Sequence, residues 1–142
     1  MIEHHTKNKG DLGVLKAKCD LYTKGWIPCQ PETEHAPFDL VVWKNGLFKT
    51  VSVKYRELKV NNKTGLIGTS VEIQMKSSWA DKNGSHIKQV DKKFVDVLCV
   101  YNPNNDICLY LDTSKINKCI NINFGDYHPN KNMYYSYTNF PF

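Results

Sequence analysis

Apolar positions along the chain change period several times. From Lys9 to Lys24, Leu12, Leu15, Cys19 and Tyr22, flanked by Val14, Ala17 and Leu21, form one broad helical stripe. Thr6 or Asn8 is expected to cap that helix, and Gly25 to end it in the left-handed conformation. "WIPCQ" (26–30) carries Pro28 inside an apolar run and predicts an edge strand. "TSVEIQMKSS" (69–78) alternates Val71, Ile73 and Met75 with Glu72, Gln74 and Lys76, the period of a half-buried strand. "FVDVLCVY" (94–101) and "DICLYLD" (106–112) predict two more strands joined by the turn "NPNN", and "TSKIN" a helical turn after them. Residues 125–142 are aromatic and polar without a period, and read as a tail outside a domain spanning 1–124. A helix followed by strands predicts an α/β (α+β) domain, the N-terminal helix packed on a mixed central sheet.

Between the edge strand and the alternating one lies the sharpest signal. Asn45-Gly46 divides two apolar runs, and a type I′ turn needs positive φ at both central residues. With those two as the loop, Lys44 pairs with Leu47, Val41 with Thr50, and Asp39 faces Ser52. Opposed residues share a face, as do residues two apart, so Asp39, Ser52 and Lys54 project together. Leu40, Val42, Val51 and Val53 line the other side.

Composition narrows the class. The 142 residues suit one domain, 41% hydrophobic and 23% charged. The sequence contains no run of ~20 apolar residues, the length a bilayer-spanning helix needs. The start, "MIEHHTKNKG", lacks the apolar stretch of a secretory signal, which implies an intracellular protein. Five cysteines without CxxC spacing point to packed thiols, neither a disulfide framework nor a structural zinc site. The net charge of +5 is concentrated: Lys44 to Lys93 holds eleven basic and four acidic residues. Such a balance suits a polyanion or a lysine-rich solvated surface.

The juxtaposed Asp39 and Lys54 allow two readings. One is a cross-strand ion pair worth ~0.2–1 kcal/mol when exposed. The other is a divalent-metal phosphodiesterase site. Asp39 and the backbone carbonyl of Val53 would give a hard cation such as Mg²⁺ or Mn²⁺ oxygen ligands. Lys54 would polarise the attacking water and offset charge on the phosphate.

"PFDLVVWKNGLFKTVSVKY", with "KNKGDLGVLKAKCDLYTKGW" before it and "VDVLCVY" after, resembles the group I intron-associated PD-(D/E)XK homing endonucleases over roughly residues 7 to 115. Archaeal Holliday junction resolvases are similar to the same pattern. The resemblance implies a restriction-endonuclease-like fold, Mg²⁺-dependent cleavage of double-stranded DNA, and a homodimer or homotetramer that brings two sites to two strands. The motif's aspartate maps to Asp39 and its lysine to Lys54. Two positions depart: the acidic or Gln residue is Ser52, and the usual helix glutamate is Val14. Asp11, one helical turn before Val14, is a candidate replacement, or else a first-turn acid favoured by the helix dipole. Glu72 would be a metal ligand if its strand face turned towards Asp39, and otherwise sits in solvent. Lys49, Arg56, Lys59, Lys63, Lys76, Lys82 and Lys88 would meet phosphates. A DNA-binding or structural protein on a decayed nuclease fold is the alternative that Ser52 and Val14 motivate, and a junction resolvase is a third.

Overall fold

The computed structural model describes residues 5–142. It has one long helix, α1 (His5–Thr23), then β1 (Ile27–Cys29), β2 (Leu40–Lys44), β3 (Leu47–Tyr55), β4 (Ser70–Gln74), β5 (Lys76–Asp81), β6 (Gly84–Gln89), β7 (Val97–Asn102), β8 (Ile107–Asp112), β9 (Cys119–Asn123) and β10 (Asn132–Met133). Short 3-10 turns follow β8 (Thr113–Lys115) and β10 (Tyr134–Tyr137).

Five strands make a central sheet in the order β1-β2-β3-β7-β8. It is mixed: β3 and β7 run parallel, and the other neighbours antiparallel. Parallel neighbours need a long crossover, and residues 56–96 make it. That excursion supplies β4, which pairs with β9 in a second, three-stranded layer completed by β10. It also supplies β5 and β6, which pair with each other as a separate ribbon. The strand expected across 69–78 therefore breaks at Met75. Its first half serves the second layer, through buried Val71 and Ile73, and its second half leaves for the ribbon.

The central sheet is covered on both faces, so every residue of β7 is buried, the pattern of a strand with no solvent side. Val97, Cys99 and Tyr101 pack towards α1 with Ala17, Leu21, Leu40, Val42 and Val51. Leu98 and Val100 pack towards the second layer with Val71, Ile73, Leu109 and Ile122. Each fully buried aliphatic side chain contributes on the order of 1.5–3 kcal/mol.

Helix α1 passes through Thr6 and Asn8, so neither caps it. Its first turn is polar, and the apolar stripe carries no mark of it. The end is as expected. Gly25 has φ 82, its N–H donates to Tyr22 O (3.0 Å), and Trp26 N–H donates to Leu21 O (3.0 Å). This is a Schellman closure, with Leu21 and Trp26 together in the core.

Residues 125–142, read above as a tail, pack on both layers. Met133 is buried, Tyr134 stacks on Phe124 at 5.1 Å, and Phe140 lies 4.3 Å from Trp26 and 5.6 Å from Tyr110 between ring centroids.

Candidate active site

The β2–β3 hairpin has the register set by its turn: Lys44 opposite Leu47, Val41 opposite Thr50, Leu40 opposite Val51. Asn45 and Gly46 have φ 51 and 83, the positive values that such a loop requires. β2 ends at Leu40, while β3 continues to Tyr55. Beyond that point Asp39 takes over. Its N–H donates to Val51 O at 2.9 Å, and its carboxylate accepts from Val53 N–H at 2.6 Å and from Ser52 Oγ at 3.4 Å. The N–H and C=O of one strand residue point to the same edge. The Val53 carbonyl is thus directed, with its N–H, to the edge that β2 has left.

Ser52 and Lys54 lie opposite Leu98 and Val100 of β7 and share the face towards the second layer. Lys54 is only 8% exposed. Its ammonium donates to the carbonyl of Lys76, at the start of the ribbon, at 3.1 Å. Burial lowers its pKa to about 8; the Arg56 guanidinium pushes the same way, and Asp39 opposes both. Burial lowers the pKa of Arg56 too, and its Nη1 donates to Tyr55 O at 2.8 Å.

Two clefts meet at Ser52 and Val90. One, about 440 Å³, is lined by Pro37, Lys88, Gln89, Asp91 and Phe94 as well. The other, about 410 Å³, runs past Lys54 and Arg56 to Lys9 and Gly10 of α1. Lys9 forms an ion pair with Glu57 at 3.1 Å. Lys9 and Asp91 escaped the sequence reading. No local signal marks either, because the fold of the crossover and the helix start bring them here.

The remaining candidates lie elsewhere. Asp11 is exposed on α1 and lines neither cleft. The helix meets β3 on the face opposite Lys54: a Cβ on Gly13 would lie 3.5 Å from Val53 Cγ1. Half-buried Val14 packs into that helix-side core. Glu72 points away from the core face of β4, paired with Lys59 at 3.0 Å and accepting from Gln74 at 3.2 Å. These bonds hold its carboxyl below the usual range. It lines a separate cleft of about 710 Å³ with Asn121 and Lys131. Of the basic residues, Arg56 and Lys88 line the site clefts. Lys76 and Lys82 sit at the base and tip of the ribbon. Lys63 is exposed in the loop between β3 and β4, and Lys49 lies 3.9 Å over the Phe142 ring.

Among the described residues no three His, Cys, Asp or Glu side chains form a metal cluster. The donors at β3 are one carboxylate, one hydroxyl and one carbonyl, all hard oxygens. Such a set fits a cation like Mg²⁺, which keeps several waters and takes its other ligands from substrate phosphate.

A bacterial homing endonuclease, I-Ssp6803I, has the same fold: TM-score 0.74 at 18% identity, over 94% of this chain and 88% of that one. The restriction-endonuclease-like architecture expected from the sequence is thereby met. No curated protein matches the chain. The family model described as PD-(D/E)XK endonuclease matches residues 4–139, nearly the whole length. The protein belongs to the PD-(D/E)XK endonuclease family.

Proposed function

We propose that this protein is a Mg²⁺- or Mn²⁺-dependent endonuclease of homing type, hydrolysing phosphodiester bonds in double-stranded DNA. The observation that carries the reading is Lys54, a buried lysine with its pKa drawn down to about 8, on one strand face with Ser52 and beside Asp39. Burying an ammonium costs stability, and perturbed lysines concentrate at functional sites. The family match and the homing-endonuclease neighbour support it.

In this reading Asp39 and the Val53 carbonyl hold the cation, which supplies Lewis-acid stabilisation of phosphate and an acidified water. Lys54 orients the attacking water and offsets charge as it builds on the phosphate. Arg56, Lys9 and Lys88 along the clefts hold neighbouring phosphates, which fixes position without reading sequence. Cutting both strands calls for two such sites, hence a homodimer or homotetramer.

The test is cleavage of pooled plasmid and genomic DNA with Mg²⁺ or Mn²⁺ against EDTA, with Lys54→Ala as control. Discrete cuts that need both metal and Lys54 are the expected result. Cutting unchanged in Lys54→Ala refutes the site.

The second reading is a DNA-binding protein on a decayed nuclease fold. It is favoured by Ser52 and by Val14, which is packed in the core and offers no oxygen to the cleft. It predicts salt-dependent binding to duplex without metal-dependent cutting.

A further inference from the structure

The ribbon β5–β6 has no structural task that accounts for it. Its six paired positions run from Lys76 opposite Gln89 to Asp81 opposite Gly84, and the two strands pack chiefly on each other. None of its described residues belongs to either core cluster. A lone two-stranded hairpin is marginal in water. This one is tied down at its base, where Lys54 Nζ donates to Lys76 O (3.1 Å) and Val90 N–H to Met75 O (3.0 Å).

We propose that this ribbon enters the major groove of DNA and reads base pairs beside the cut, with Ser85, Ile87 and Gln89 facing the bases. The inference rests on the nuclease reading and adds the specificity element to it. A two-stranded ribbon fits a groove ~12 Å wide, and six residues of strand reach roughly 20 Å. From Lys76 to Lys93 the chain carries five basic and two acidic residues, a balance that suits phosphates flanking the groove. Lys82 stands at the tip and Lys88 near the base.

The reading face follows from the register. Side chains alternate along a strand, so Ser85, Ile87 and Gln89 share one face with Lys76 and Ala80 of the partner strand. All five are exposed, Ile87 at 63%. An amide such as that of Gln89 makes a bidentate pair with adenine, a hydroxyl bonds either partner, and an aliphatic group contacts the thymine methyl. An isoleucine this exposed on a basic ribbon gains by being covered in that way.

Position ties reading to chemistry. Gln89 lines the cleft that contains Ser52, and it sits opposite Lys76, whose carbonyl Lys54 holds. The base pair that Gln89 contacts therefore adjoins the phosphate that Lys54 serves.

The test selects bound duplexes from a randomised DNA pool in Ca²⁺, which reports binding whether or not the protein cuts. The full-length parent, Gln89→Ala, Ile87→Ser and Lys82→Ala are compared after matched melting curves. The parent is expected to enrich one sequence. Gln89→Ala should lose about 5- to 150-fold of the preference at one base pair and keep the others. Lys82→Ala should weaken binding on all sequences alike. If Gln89→Ala and Ile87→Ser enrich the parent's sequence unchanged, the ribbon does not read bases. A change of oligomeric mass in Ile87→Ser, with sequence preference intact, assigns the ribbon to contact with a second copy and also overturns the inference. A parent that binds without preference overturns it while metal-dependent cutting leaves the nuclease reading standing; a parent that binds no duplex overturns both.

Discussion

The Asp39 carboxylate accepts the Val53 N–H at 2.6 Å, in the place where another residue of β2 would have continued the ladder. One oxygen thus closes the sheet edge, and the carboxylate is held against β3 before any ligand arrives. Asp39→Asn keeps an acceptor for Val53, and its unfolding free energy should stay within about 1 kcal/mol of the parent. Asp39→Ala leaves that N–H without its partner and should lose about 1–3 kcal/mol. Both should lose metal-dependent cutting. Urea unfolding beside a plasmid assay checks the pair, and an Asn variant that cuts at the parental rate removes Asp39 from the site.

Lys54 should weaken the fold at neutral pH. Its folded pKa is about 8, below the 10.5 of the unfolded chain. Below pH 8 both states hold the proton, and the full cost of a buried ammonium is present. Between pH 8 and 10.5 the folded state has released its proton and the unfolded state has not, so stability rises with pH. Lys54→Met should accordingly be more stable than the parent at pH 7, by up to ~3 kcal/mol. The advantage should shrink as pH climbs from 8 to 10.5. Denaturant midpoints at pH 6, 8 and 10 decide it; a constant difference means that the lysine is charged alike in both states.

Ser52 lines both clefts and lies within 3.4 Å of the Asp39 carboxylate. The cleft has room for a longer side chain there. Ser52→Glu should add a second carboxylate and lower the Mg²⁺ concentration for half-maximal cutting about tenfold, the effect of ~1.4 kcal/mol. A Mg²⁺ titration reads this directly. An unchanged midpoint places the cation away from Ser52.

Phe140 packs against Trp26 and Tyr110. Phe140→Ala should cost about 1–2 kcal/mol, less than a fully buried aromatic because Phe140 is half-buried, and lower the melting temperature by several degrees. A melting curve within 1 °C of the parent would show that residues 139–142 are a loose end.

What the sequence made legible was whatever a local rule fixes. Asn45-Gly46 set the hairpin register, and the register alone put Asp39, Ser52 and Lys54 on one side. Gly25 marked the helix end because a left-handed residue was needed there. The ribbon was missed although the dipeptide Asn83-Gly84 stands at its turn, with Lys82 and Asn83 as the loop and Gly84 opening the second strand, because its residues answer to no core and so lack the alternation of a half-buried strand. Likewise "CININ" yields only a five-residue strand whose antiparallel partner, β4, lies 45 or more positions earlier. Long-range pairing of that kind leaves little trace in local pattern. Asp11 and Glu72 illustrate the other limit, since spacing gives a face but not what the face meets.

Proline at position 28 has one further consequence. β1 is a three-residue edge of the central sheet, and Pro28 in its middle has no N–H to offer another strand. A neighbouring molecule finds no continuous row of donors along that border. Growth of the sheet from molecule to molecule is blocked on this side. Crowded copies of the protein are correspondingly protected from fibril-like stacking there.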